Sequence, residues 1–161
     1  MNTKSYLTHT KKYKTLISAI HTIYRLVNST FELRDLLIRL SRLICQMFNS
    51  QYCLITLLDT TKEHSLLRCL VLGKKKYIVD RKTRISNRIE KRIIKKLTAI
   101  RQDNLLGIPL VCEDITGIIT IKRDKKGSPF DRFDQEMLMT LGEQAIIGIK
   151  TLQLYEEQQK I

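Results

Sequence analysis

The sequence has few residues that interrupt regular structure and no long apolar segment. Only six glycines and two prolines occur among 161 residues, which excludes collagen-like and low-complexity chains. No apolar run reaches the roughly 18 residues of a membrane-spanning helix. The start of the sequence lacks the hydrophobic stretch of a secretory signal peptide. We therefore expect one globular domain over residues 1–161 that acts in the cytoplasm.

The four cysteines and three histidines are not spaced as metal ligands usually are. The sequence has no C-x-x-C pair, and a free cysteine inside an apolar run behaves as a small hydrophobic residue. The nucleophile, phosphate-binding and zinc-protease patterns G-x-S-x-G, G-x-x-x-x-G-K-[ST] and H-E-x-x-H are missing too. We predict no catalytic residue, metal or cofactor, and we leave a small-molecule ligand open.

Positive charge is concentrated in two segments. The net charge is +13, and residues 1–14 and 74–96 together account for all of it. Such a local field suits an anionic partner, either nucleic acid, a lipid headgroup or an acidic protein surface, whereas a solvated surface without a partner is the alternative. Five basic residues share one stripe of a predicted helix over 86–100 and form the candidate anion-binding face: Arg88, Lys91, Arg92, Lys95 and Lys96.

The apolar spacing predicts an α+β fold. Residues 11–49 form N-terminal helices, the second opening with a capping box from Ser29 to Glu32, and we expect residues 1–10 to be flexible. An antiparallel sheet of five or six strands occupies 51–123, with helices on both faces. The predicted strands are 51–59, 65–73, 74–82, 105–112 and 115–123, and Ser86 is predicted to cap the basic helix.

A long last helix over 131–161 is predicted to pair with a second copy. Its apolar and small residues alternate spacings of three and four, which is typical of a helical seam. The residues of this candidate dimer seam are Leu138, Leu141, Ala145, Gly148, Leu152, Tyr155 and Gln159.

The second half of the chain resembles a GAF domain. The likeness rests on a strand ending in Pro109-Leu110, a strand containing Gly117-Ile118-Ile119, and Phe130 followed by Asp134. An apolar, small-residue middle of the last helix and its Leu154-Tyr155 end extend the match. In the first half, Glu32-Leu33 and Leu58-Asp59 fit as well.

The matching residues have structural explanations. We expect Gly117 where a neighbouring backbone leaves no room for a Cβ atom. Phe130 would close the junction between a loop and the core, and Asp131 or Asp134 would accept hydrogen bonds from the first N–H groups of the last helix. We therefore interpret the family-signature residues Pro109, Gly117, Phe130 and Asp134 as structural.

The resemblance implies a small-molecule sensor or a dimerising module of signalling proteins. GAF domains bind cyclic nucleotides, linear tetrapyrroles, haem or other small ligands. This sequence has only part of the cyclic-nucleotide pattern and no Cys-His pair for a tetrapyrrole, because Glu113 follows Cys112. Ligand-binding members have a strand and a longer loop before the strand that starts near Leu105, where only 101–104 is expected here.

The leading hypothesis is a sensory module that relays the state of a ligand or partner through paired terminal helices. It would be a homodimer acting on an output domain or a partner signalling protein. The alternative is a nucleic-acid-binding or other anion-binding module that uses the helix over 86–100. Contact with a membrane surface is disfavoured, because the apolar face of that helix is expected to pack on the sheet.

Overall fold

The computed structural model describes residues 3–30, 32–73, 76–113 and 115–159. In this part of the chain, four helices and six strands follow one another, in the predicted order except for one strand after the third helix that was not predicted. The helices are α1 (Thr3–Ser29), α2 (Leu33–Met47), α3 (Arg88–Lys96) and α4 (Arg132–Gln159). The strands are β1 (Tyr52–Leu58), β2 (Ser65–Leu72), β3 (Lys76–Asp80), β4 (Ile100–Gln102), β5 (Leu105–Cys112) and β6 (Ile115–Lys122).

The strands form one antiparallel sheet in the order β3-β2-β1-β6-β5-β4. The central strand β1 pairs with β2 on one side and with β6 on the other. Since neighbouring residues of a strand point to opposite faces, Cys53, Ile55 and Leu57 lie in the main core while Leu54 and Thr56 face the other way. The α+β class and the antiparallel sheet are confirmed.

Helices cover both faces of this sheet. On one face, α2 packs on β1 and β2, α4 packs on β5 and β6, and α1 lies against α2 and α4. On the other face, α3 packs mainly on β5 and β6. Ile93 of α3 is fully buried there, in a small cluster with Ile100 and Ile118.

The basic helix is shorter than the predicted 86–100. Asn87, not Ser86, caps its start, and its last turn closes at Leu97, whose N–H donates to the carbonyl of Ile93 at 2.7 Å. Leu97 has a left-handed backbone with φ of 50°, which ends the helix. Ile100 then begins β4 and pairs with Gly107, so a strand stands where only a short connection was expected.

The first two helices also differ from the prediction. The α1 helix begins at Thr3, so residues 3–10, expected to be flexible, are helical. The capping box is wrong: Ser29 belongs to α1 and its hydroxyl donates to the carbonyl of Arg25 at 2.7 Å. Glu32 makes no side-chain cap, and the N–H of Leu33 donates instead to Glu156 of α4 at 2.7 Å.

The α1 and α4 helices run side by side in the same direction. Near their starts, the Tyr13 and Phe133 rings meet edge to face with centroids 5.2 Å apart. Further along, a Cβ atom on Gly148 would lie 2.3 Å from Cγ2 of Val27, so the glycine allows this close approach. Among the described residues, no helix is both long and apolar enough to cross a membrane.

The predicted dimer seam is wrong for most of its residues, because the stripe covers the chain's own core. Leu138, Leu141 and Ala145 are fully buried within one chain, and Leu152 is 6% exposed. Heptad spacing marks the apolar side of a helix but does not tell which surface that side meets. Tyr155 is exposed, and the side chain of Gln159 lies outside the described residues.

Candidate functional site

A pocket lies between α3 and the sheet, and two local features determine where the helix starts and how close it lies to the sheet. The Asn87 side chain accepts hydrogen bonds from the N–H groups of Ile89 at 2.8 Å and Glu90 at 3.2 Å. On the sheet, Gly107 lies under Ile93, and a Cβ atom at that glycine would be 2.6 Å from Cδ1 of Ile93. The cap fixes where α3 starts, and the glycine sets how closely it approaches β5.

Glu90 is the charged residue of α3 that lines this pocket. It lies on the side of the helix opposite Arg88 and Arg92, and it is only 2% exposed. Its Oε1 accepts a hydrogen bond of 2.9 Å from Nη2 of Arg68 on β2. Its buried Oε2 has no hydrogen-bond partner among the described residues. One carboxylate oxygen is therefore used within the protein, and the other is a buried acceptor without a partner in the described part of the chain.

Two threonine hydroxyls lie on the same face of the sheet. Thr56 of β1 is opposite Arg68 in the strand pairing, and Thr120 of β6 is opposite Gly107. Both residues are buried, and neither hydroxyl has a hydrogen-bond partner in the described part of the chain. A pocket of about 250 Å³ reaches Glu90 and Thr120; Tyr52, Leu54, Asn87, Ile89, Leu105 and Lys122 complete its lining.

Burial shifts the pKa of two groups in this pocket. It raises the pKa of Glu90, and the positive charge of Arg68 opposes this rise without cancelling it. Burial also raises the pKa of Tyr52, and the negative charge of Glu90 adds to the effect. The phenol of Tyr52 is therefore a neutral donor at physiological pH.

The pocket can recognise a small polar molecule. A buried polar atom without a partner costs about 1–3 kcal/mol, and a ligand group that donates to Glu90 would remove that cost. In the described ranges, no group of three or more His, Cys, Asp or Glu could hold a metal ion.

The predicted anion-binding face lies on the solvent side of α3, away from this pocket. Arg88, Lys91, Arg92, Lys95 and Lys96 are all exposed. None of the five forms an ion pair in the part of the chain that the structure describes.

The family-signature residues lie around the core and not in the pocket. A Cβ atom on Gly117 would lie 2.8 Å from the carbonyl oxygen of Thr56. Pro109 is on β5 beyond the stretch that pairs with β4, so its missing N–H breaks no bond there. Phe130 is buried under the guanidinium of Arg123, 4.3 Å from the ring centroid.

Asp131 and Asp134 cap the start of α4 together. The N–H of Asp134 donates to Oδ1 of Asp131 at 2.8 Å, and the N–H of Asp131 donates to Oδ2 of Asp134 at 3.0 Å. Asp134 also lies 3.6 Å from Nη1 of Arg123.

The sequence interpretation missed Glu90 and Arg68. On a helical wheel Glu90 falls between Ile93 and Ile94, which was a signal that it faces inward. Arg68 stands in an apolar strand, where a charged residue needs a partner. Their pairing could not be predicted from spacing, because it depends on how α3 crosses the sheet.

Comparison with solved structures identifies the fold. The GAF domain of a phosphoenolpyruvate-protein phosphotransferase from Coxiella burnetii matches with a TM-score of 0.67 and 14% identity, covering 89% of this chain and 98% of that one. Residues 122 to 287 of a methyl-accepting chemotaxis protein match with a TM-score of 0.66 and 12% identity, covering 82% and 97%.

An enzyme shares this fold. Free methionine-R-sulfoxide reductase from Neisseria meningitidis, in complex with its substrate, matches with a TM-score of 0.66 and 12% identity, covering 86% of this chain and 90% of that one. No protein-family model and no curated protein matches the chain. These structural likenesses show that the chain has the fold of GAF domains, as its sequence predicted.

Proposed function

We propose that this chain is a sensory or regulatory module that binds a small polar ligand between α3 and the sheet. The observation that carries this proposal is the buried pair of Glu90 and Arg68 beside the pocket, which leaves one buried carboxylate oxygen without a partner in the described part of the chain. A ligand with an amine, amide or guanidine group would donate to that oxygen. The occurrence of the same fold in a chemotaxis protein supports a signalling role.

The sheet links the pocket to the terminal helices. Strands β1 and β6 present the paired residues Leu54 and Thr120 to the pocket, while the next pair, Ile55 and Ile119, lies in the core that α4 covers. A ligand that shifts α3 would act on these strands, and α4 would respond through the same close-packed core. The side chain of Lys150 in α4 is also tied to Glu113, in the turn between β5 and β6.

We further propose that α1 and α4 pair with a second copy through a different surface from the one predicted. Both helices carry exposed apolar residues on their outer sides, and their spacing is helical. Tyr13, Ile17 and Tyr24 form this stripe on α1, and Ile147 and Leu154 belong to it on α4. An output domain or partner protein, and a site of action in the cytoplasm, stay predictions.

A thermal-unfolding screen with small amines, guanidines, amides and amino acids tests the ligand. A compound at about 100 times its Kd stabilises the folded state by about 2.7 kcal/mol, so a true ligand shifts the melting temperature of the wild type. The Glu90→Gln variant should lose this shift, and Glu143→Gln on the exposed side of α4 should keep it. If no compound shifts the wild type at millimolar concentration, the ligand proposal is wrong.

Analytical ultracentrifugation at tens of micromolar tests the paired helices. The wild type should sediment as a dimer, and Ile17→Glu with Ile147→Glu should sediment as a monomer. Ser18→Glu, on the exposed side of α1 next to Ile17, is the matched control and should remain dimeric. A wild type that is monomeric throughout contradicts the pairing.

The prediction that the chain is not an enzyme stays a prediction, since one structural neighbour is a reductase. It is tested separately from the two proposals above. Incubation of any ligand found in the screen with the wild type, followed by mass spectrometry, should return the ligand unchanged. If the wild type converts that ligand and the Glu90→Gln variant does not, the pocket is an active site.

A further inference from the structure

A cleft with several cations opens on the outer side of α3. Lys91 and Lys95 of α3 line it together with Lys62 from the β1–β2 turn and Arg84 from the segment before α3. We call these four residues the cationic cleft. Its volume is about 270 Å³, and Ile85 and Ile94 contribute the apolar part of its lining. The fold thus brings two cations from other segments beside the basic helix.

The charge of the cationic cleft is hardly compensated within the protein. Glu63 is the acidic residue on its lining. In the described ranges none of the four cations forms an ion pair. The acid of α3, Glu90, points to the opposite side and pairs with Arg68. The positive field of this surface therefore reaches the solvent.

The same helix carries further positive charge beyond the cleft. Arg88, Arg92 and Lys96 are exposed and extend the surface along all of α3. Like charges four residues apart destabilise a helix by a few tenths of a kcal/mol per pair, and Arg88–Arg92, Lys91–Lys95 and Arg92–Lys96 are such pairs. A single phosphate could occupy the cleft, but only an extended polyanion would contact the whole surface.

We propose that the cationic cleft and the outer side of α3 bind the phosphate backbone of a nucleic acid. Among the described residues, the cleft lining contains no aromatic side chain, so bases have nothing to stack on there and the contact is independent of sequence. An anionic membrane suits the surface less well, because Ile93 is fully buried against the sheet and cannot insert among lipids.

Fluorescence anisotropy with a labelled DNA duplex and the full chain tests this inference. The wild type should bind at low salt, and log K should fall linearly with log salt concentration. The double variant Arg84→Glu and Lys95→Glu should bind at least about tenfold more weakly and reduce the salt slope by about two, one unit for each lost phosphate contact. Two duplexes of different sequence should bind equally.

The matched control reverses the same amount of charge at another place. Lys125→Glu with Lys126→Glu changes two exposed lysines of the loop before α4 and should bind the duplex within about twofold of the wild type. An equal loss of affinity in both variants would mean that net charge alone attracts DNA, and this would overturn the proposal that the cationic cleft binds it. No binding by the wild type at low salt, or binding to phosphatidylserine vesicles but not to the duplex, overturns the proposal too.

Discussion

The carboxylate of Glu156, near the end of α4, accepts a 2.7 Å hydrogen bond from the N–H of Leu33, the first residue of α2. The first N–H groups of a helix have no partner within the helix. Glu32, the residue before α2, does not cap this helix with its own side chain. A residue of the last helix therefore caps the start of the second helix, although most of the sequence lies between the two.

Replacing Glu156 should weaken this junction. We expect Glu156→Ala to lower the free energy of unfolding by about 1 kcal/mol, the usual effect of losing a helix cap. Glu156→Gln keeps an oxygen acceptor and should lose less. Urea unfolding followed by circular dichroism measures both. Glu157→Ala, at the exposed neighbouring position, is the control, and an equal loss there would show that the hydrogen bond contributes nothing.

Gly117 should tolerate alanine less well than Gly107. At Gly117 a Cβ atom would lie 2.8 Å from the carbonyl oxygen of Thr56, a backbone atom held in the central pairing of β1 and β6. At Gly107 it would lie 2.6 Å from Cδ1 of Ile93, the end of a side chain that can rotate away. We expect Gly117→Ala to cost about 1–3 kcal/mol by overpacking.

Thermal unfolding of the two variants checks this order. Gly107→Ala should melt nearer to the wild type than Gly117→Ala does. A Gly117→Ala protein as stable as the wild type would show that β1 moves freely at this point. If Gly107→Ala were less stable than Gly117→Ala, this would mean that α3 is held rigidly against the sheet and that the pairing of β1 with β6 adjusts more easily.

All strands except β4 were predictable, because their signal is local. Leu105–Cys112 was predicted residue by residue, since a continuous apolar run bounded by turn residues defines a buried strand. The end of α3 was not, because Leu97 takes a left-handed backbone that its own sequence does not favour. The turn at Leu97 leads into the pairing of Ile100 with Gly107. This pairing is a contact between two strands, so the local sequence does not reveal it.

The site was less predictable than the fold for a related reason. A helical segment with one glutamate and five exposed cations has the composition of a solvated helix. Only the position of α3 on the sheet turns Glu90 toward Arg68. The seam residue Leu141 shows the same limit. Its spacing identifies the apolar side of α4 correctly, but burial against the chain's own core decides its partner.

Leu97 offers a stabilising substitution. Its φ of 50° places an exposed leucine in a region that costs an ordinary residue about 1 kcal/mol, whereas glycine enters it without strain. We expect Leu97→Gly to raise the free energy of unfolding by up to about 1 kcal/mol. Leu154→Gly, an equally large change on the exposed side of α4, should instead lower it by about 1 kcal/mol. Urea unfolding of both variants should therefore show shifts of opposite sign, and a loss in both would mean that the Leu97 side chain stabilises the fold.

The stability contributed by Glu90 should depend on pH in a definite direction. Burial raises its pKa above 4.5, the ordinary value of a glutamate, more than Arg68 lowers it. The folded protein thus binds this proton more tightly than the unfolded chain does. The stabilisation is fully present below pH 4.5 and is lost as pH rises through the raised pKa.

Comparison with a variant that cannot titrate isolates this effect. Glu90→Gln keeps the shape of the side chain and an oxygen for Arg68, so the difference in unfolding free energy, wild type minus variant, should fall as pH rises from below 4.5 to neutral. Urea unfolding at a series of pH values measures it, with Glu143→Gln as the matched loss of a surface carboxylate. A difference that rises with pH would mean that the attraction of Arg68 outweighs burial and that the ionised pair stabilises the pocket by itself.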